Sequence, residues 1–490
     1  MKNSAIYQLL SAFSPAESKN LLLWLESPVH NRREAPLFLG QYLLQCLKNK
    51  QNPEESAAWA FIISKQPGDA LKERRGRPAK PQPRSERPSD QQNAVQLRLL
   101  MSELLRLTED FMVYQHRQLH EVRQAIDLLA CYREKGLDKP FEKNIHQARQ
   151  VNQRQPYRHT TFWDAQADIA FEWYQYAGNK RKTEQLHLEE LAQQSDMAYA
   201  ARKLREACLA ITYQTVYKNT MDQGLLPALL TYLEQSPRLL EVPAIALYFY
   251  CYQLFTHEQS FAWFERFKTL LLEQQHLLPP DEQRTLHLLG INYCILKINQ
   301  THREYCQEAL DLYQSGLKSG ILIENGVISH MAFNNIVSIA LKVNATQWAH
   351  DFIRQYDIYL EKRHQSATVC MNLARIYHIQ KNYAAALREL AQFDSRDQAN
   401  NLLARSLQIK IYYETEDLDA LELHLQSMQL FIRRQRVIGY HKTNYLNIIR
   451  YTKKLMLHNP NDKAARQALR ESIQAETHLT EKEWLLDKLA

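Results

Sequence analysis

Glycine is scarce in this chain, 11 residues in 490, or about 2 per cent against a usual share near 7 per cent. Sheet-rich folds place glycine at hairpin turns and bulges, and phosphate-cradling loops need it where backbone approaches a ligand. The scarcity argues against both and predicts few backbone sites with positive φ. The seven cysteines (Cys46, Cys131, Cys208, Cys251, Cys294, Cys306, Cys370) are scattered, odd in number and never spaced Cys-x-x-Cys. That pattern predicts reduced, core-packed thiols in a cytoplasm rather than a disulfide or zinc framework. Long hydrophobic runs are missing as well. Mean hydropathy is −0.50, and the most apolar stretch, Val242 to Phe255, is too short to span a bilayer and reads as a buried helix. The opening residues, soon followed by the polar stretch Ser14 to Asn20, show no secretion signal. Catalytic punctuation is absent too: no Gly-x-Ser-x-Gly, Gly-x-x-x-x-Gly-Lys or Gly-x-Gly-x-x-Gly occurs, so the sequence predicts no enzyme, no cofactor and no metal.

Charge is present but unevenly spread. The net value is +7. Lys72, Arg74, Arg75, Arg77, Lys80, Arg84 and Arg87 stand against only Glu73 and Glu86 in one short stretch, which carries most of that excess. The rest of the chain has little net field to draw a polyanion onto its surface.

Helix signals dominate what remains, predicting an all-α chain of antiparallel helix pairs stacked as an α-solenoid. Ser14, Pro15 and Glu17 make a capping box that opens a helix through Glu26, and a second apolar-periodic run follows over Leu37 to Leu47. Residues 1–66 form an N-terminal helical segment on this pattern. Prolines at 67, 78, 81, 83 and 88 make residues 67–90 a basic, extended linker. Residues 91–220 form a long-helix region, beginning with an unbroken apolar stripe from Gln91 to about Cys131. Residues 221–490 form a repeat array closed by a C-terminal helix, for which Thr480 and Glu483 predict a second capping box.

One segment of that array carries a recognisable pattern. Leu373, Ala374 and Tyr377 precede a turn at Asn382, and Tyr383, Ala386, Leu387 and Leu390 follow it. Tyr412, Asp417, Leu418 and Leu425 repeat part of the pattern thirty-five residues later, Trp348 stands thirty-five residues before Tyr383, and Leu289, Gly290 and Tyr293 reproduce the first-helix triplet. Over about residues 285 to 430 this resembles the tetratricopeptide-repeat family in degenerate form. Phe393 and Gln398 depart from the family's usual alanine and proline. The opening run Phe13, Glu17, Leu23, Trp24, Leu25, Ser27, Pro28 and Asn31 is similar to the start of large uncharacterised bacterial helical-repeat proteins. The tetratricopeptide resemblance implies a fold of stacked helical hairpins and a partner-binding groove. Asn335 and Asn372 fall where such domains present asparagines to a bound peptide. Members that clamp a C-terminal carboxylate supply basic residues from the following repeat, where this chain has Leu403 and Leu407.

Other candidates are local. Arg74, Arg75, Gly76, Arg77, Pro78 and Lys80 resemble the core of an AT-hook, whose arginines lie along the minor groove of A·T-rich DNA; a basic solubilising linker has the same composition. His116 and His120 stand four apart, without the glutamate that a zinc-protease helix needs, and read as a polar helix face. Aromatic clusters around Trp173, Tyr174 and Tyr176, and around Tyr248, Phe249, Tyr250 and Tyr252, read as core between helix pairs. The expectation is a non-enzymatic, cytoplasmic bacterial scaffold or adaptor that binds a protein or peptide. The alternative is a DNA- or RNA-associated factor that uses residues 72–88.

Overall fold

The computed structural model describes residues 1–65, 90–178, 186–217, 221–256, 261–393, 398–434, 441–458 and 462–490. Among them the chain forms twenty-three α-helices, with one isolated bridge between Glu324 and Val327 and no strand. The all-α class predicted from glycine scarcity and helical periodicity is the class observed. No helix among the described residues is long and apolar enough to cross a membrane. The basic segment, including Arg74, Arg75, Gly76, Arg77, Pro78 and Lys80, lies outside the described residues. The chain divides into two compact units, Met1–Gln155 with Asp164–Gln194, and Pro156–Trp163 with Ser195–Ala490.

In the first unit, α1 (Ala5–Ser11), α2 (Pro15–Glu26), α3 (Glu34–Lys48) and α4 (Glu55–Lys65) share a core with α5 (Asp90–Gln118). Leu97, Leu100, Leu104, Leu107 and Phe111 of α5 bury against Leu21, Leu25, Leu39 and Leu43. Residues of α1 to α4 and of α5 as far as Phe111 thus belong to one core. The predicted capping box forms: Glu17 accepts from the Ser14 N–H at 2.8 Å, and the Ser14 hydroxyl accepts from the Glu17 N–H at 3.2 Å. Next come α6 (Glu121–Glu134), α7 (Asp138–Gln153) and α8 (Thr160–Gly178). Phe141 stacks on Tyr176 at 4.0 Å, and Arg133 pairs with buried Glu172 at 2.7 Å.

The second unit takes in the later part of α9 (Leu188–Tyr217), then α10 (Leu226–Gln235), α11 (Pro243–Thr256), α12 (Phe261–Gln274), α13 (Pro280–Asn299) and α14 (Tyr305–Lys318). It continues through α15 (His330–Lys342), α16 (Thr346–Tyr356), α17 (Lys362–Ile379), α18 (Tyr383–Gln392), α19 (Gln398–Glu414) and α20 (Leu418–Arg434), and ends with α21 (His441–Met456), α22 (Lys463–Ala475) and α23 (Lys482–Asp487). Each helix from α11 to α20 packs on the next, and α11 meets α13, α15 meets α17 and α17 meets α19. Tight pairing requires small residues at the crossings. A Cβ on Gly290 of α13 would stand 2.9 Å from Phe267 and 3.0 Å from Leu312. Ala374 and Ala386, at the positions the repeat pattern assigns to small side chains, are fully buried between α17 and α18.

Positive φ is rare but not confined to glycine: among the described residues, eight non-glycine residues adopt left-handed φ. Most of them end helices. Asn382 N–H reaches the Tyr377 carbonyl at 2.8 Å across Lys381, Ala345 reaches Ala340 across Asn344, and Asp417 reaches Tyr412 across Glu416. This six-to-one closure satisfies carbonyls that the helix leaves open. It outweighs a left-handed strain of about 1–2 kcal/mol. Lys381→Gly should relieve that strain while keeping the hydrogen bond, raising stability by about 0.5–1 kcal/mol after the glycine entropy is counted. Urea unfolding reads the change, and a loss of stability would contradict the assignment.

The second predicted capping box does not form. Helix α23 starts at Lys482, its N-cap Glu481 sits at φ +56 without a capping hydrogen bond, and Glu483 is an exposed group 3.8 Å from Arg303. The Glu481 side chain is engaged instead by Lys410 of α19.

Candidate functional site

Polar side chains converge where α15, α17 and α19 lie side by side in the second unit. Asn372 of α17 is fully buried. Its Nδ2 donates to the Thr368 carbonyl one turn back at 2.8 Å and to Asn334 Oδ1 of α15 at 2.7 Å. A buried carboxamide left unpaired would cost about 1–3 kcal/mol, so this pairing fixes the crossing of the two helices. The residue predicted for a partner is therefore turned inward and cannot touch one directly. Asn335 is exposed and Asn372 is not; the buried contact is made by Asn334. Burial pushes the nearby Tyr313 hydroxyl up to about 12, with Asn335 acting in the opposite sense.

One turn beyond Asn372 stands Arg375. Its Nη1 donates to Ser338 Oγ of α15 at 3.1 Å and to Asn372 Oδ1 at 3.3 Å. Both acceptors are neutral, and no carboxylate lies within ion-pairing distance of the guanidinium among the described residues. Desolvation lowers its pKa, with the charge of Glu481 acting the other way. A guanidinium withdrawn from water is costly to leave without a close countercharge.

Arg375 lines a cavity of about 390 Å³. Leu341, Met371, Ile379, Leu403 and Leu407 supply its apolar lining, and Ser338, Lys342, His378, Lys410 and Glu481 its polar one. Leu403 and Leu407, where the tetratricopeptide resemblance would put the basic residues of a carboxylate clamp, belong to the apolar lining. The cations here come from other positions on the same helices.

Beside the cavity lies a second cluster whose members satisfy one another. Glu414 accepts from His378 Nε2 at 2.8 Å, from Trp484 Nε1 at 2.9 Å and from Lys488 Nζ at 2.8 Å. Burial alone would raise its pKa, but these three donors override burial and hold the carboxyl well below its ordinary range. The cluster ties α23 to α17 and α19 and keeps Glu481 at the cavity.

Other sequence candidates fall into structural places. His116 and His120 do not share a helix: α5 ends at Gln118, and His120 is the N-cap of α6, its ring edge-on to that of His116 at 4.4 Å. No group of three or more His, Cys, Asp or Glu side chains is placed to hold a metal among the described residues. The tyrosine-rich run of α11 is core, with Tyr248 donating to buried Glu282 at 2.7 Å. Six of the seven cysteines are buried and Cys131 is exposed.

Sequence reasoning missed Arg375, Lys410, Ser338 and Glu481. A signal was available. Lys410 follows Arg375 by thirty-five residues, the spacing already found in the repeat, and Ser338 precedes it by thirty-seven. Polar residues recurring at one register of successive first helices must line one face. No family model, curated protein or solved structure matches this chain.

Proposed function

We propose that this chain is a cytoplasmic, non-enzymatic scaffold or adaptor built as a tetratricopeptide-like stack of helix pairs, binding a protein or peptide segment along the face shared by α15, α17 and α19. The observation that carries this is the cavity at Arg375, which joins an apolar lining to hydrogen-bonding groups drawn from three successive first helices. A stack of helix pairs distributes its contacts over a long surface, so it needs no compact catalytic motif. Apolar contacts supply affinity and a few placed polar groups supply orientation.

Ile379 is 47% exposed at the cavity and Leu423 on α20 is 68% exposed away from it. Affinity capture from the native cell should recover a partner with the natural protein and with Leu423→Arg, and lose it with Ile379→Arg. Equal recovery with both variants would remove the assignment of this face.

A further inference from the structure

We propose that the cavity over Arg375 is a carboxylate site for an acidic side chain of a bound peptide, and that Glu481 is its intramolecular competitor. This rests on the partner-binding reading of the same face and names the chemistry that the face recognises.

The charge inventory of the cavity leads there. Lys342, Arg375 and Lys410 line it against a single carboxylate, that of Glu481, which is held by Lys410. The other carboxylate nearby, on Glu414, already accepts from three donors. Arg375 has five N–H donors, and both of its hydrogen bonds leave from Nη1. The edge formed by Nε and Nη2 has no hydrogen-bond partner among the described residues, and it is the edge that grips a carboxylate through two parallel bonds. The cavity that Arg375 lines, about 390 Å³, admits an acidic side chain and part of the peptide that bears it.

Two features select an acidic side chain over other anions. Glu481 already brings a side-chain carboxylate into the cavity, so the geometry suits that group. A terminal carboxylate would find Leu403 and Leu407 at the positions that serve it in a clamp. Lys410 and Arg375, one repeat apart, instead flank the cavity as a pair of cations between which a carboxylate can exchange.

The probe is the competitor's own sequence: a fluorescent, acetylated and amidated copy of residues 478–486, a second copy with glutamine in place of the Glu481 residue, and that glutamine copy ending in a free carboxylate. Binding is measured by anisotropy to the full chain. With Glu481→Gln protein, the glutamate copy should bind about tenfold tighter than the glutamine copy, the effect of one charge-assisted hydrogen-bonded contact. The natural protein should bind the glutamate copy more weakly than Glu481→Gln does, because its own carboxylate competes at high effective concentration. Adding Arg375→Gln to Glu481→Gln should abolish the discrimination, Arg375→Lys should restore part of it, and Lys410→Gln should weaken it should Arg375→Gln fail to fold. Equal binding of the glutamate and glutamine copies, no binding of the glutamate copy, or equal binding of the free-carboxylate copy would overturn the proposal. If discrimination is absent while capture of the cellular partner still depends on Ile379, the carboxylate assignment fails and the partner-binding face stands.

Discussion

Glu414→Ala should destabilise the second unit by about 3–4 kcal/mol, because it removes the acceptor shared by the Trp484 indole N–H, the His378 ring and the Lys488 ammonium in a partly desolvated cluster. The loss should be local first. Amide exchange across Lys482–Asp487 should quicken, since Trp484 and Lys488 lose the carboxylate that holds α23. Glu414→Gln isolates the charge. The Glu414 carboxyl is held below its ordinary value of 4.5, so the folded chain binds fewer protons there than the unfolded chain. Its stabilisation is complete above about pH 4.5 and falls away as pH drops toward the folded value. The advantage of the natural protein over Glu414→Gln should be full at neutral pH and shrink below pH 4.5. An advantage independent of pH would show that shape alone holds the cluster.

Phe264→Ala should cost about 3–5 kcal/mol, the range for removing a fully buried phenyl ring. Phe264 has no exposed surface, lies nearly parallel to Tyr293 with centroids 5.8 Å apart, and meets Tyr305 edge-on at 5.4 Å. These rings belong to α12, α13 and α14, so one truncation opens a void among three consecutive helices. Close-packed rings collapse poorly into such a void. Phe264→Leu keeps most of the apolar volume and should cost less than half as much. Urea unfolding distinguishes the two, and a cost under about 1 kcal/mol for alanine would mean that the site repacks freely.

Much of the architecture was legible because helix signals are local. Ser14 and Glu17 are three residues apart and meet as their spacing predicts. Ala374 and Ala386 mark a close crossing because a small side chain at helical register has few other roles. Thr480 and Glu483 have the same spacing as the first capping pair and fail, since Lys410, seventy-one residues earlier in sequence than Glu481, engages the intervening side chain. A local rule gave way to a long-range charge contact. Positive φ outside glycine likewise follows from contacts beyond the residue itself, because the hydrogen bonds that close each helix hold Lys381 and Glu416 in a conformation their side chains disfavour.

The candidate site was harder to read. Periodicity located Asn372 on the correct helix but not its direction, and a carboxamide serves a buried crossing as well as a ligand. Arg375 looked like any helical arginine. Its meaning comes from what surrounds it: neutral acceptors from α15 and α17, a cavity, and a glutamate from a segment more than one hundred residues further along the chain. None of these is encoded at the spacing of a motif. The residues Arg74, Arg75, Gly76, Arg77, Pro78 and Lys80 lie outside the described residues, so their resemblance to an AT-hook rests on sequence alone.

A partner bound to the face formed by α15, α17 and α19 would lie against Ile379 and away from Leu423. A photo-activated crosslinking amino acid placed at Ile379, and separately at Leu423, tests this most directly in the native cell. Crosslinking from Ile379 to a protein that Leu423 does not reach is the predicted result. No adduct at Ile379, or the same adducts from both positions, would contradict it.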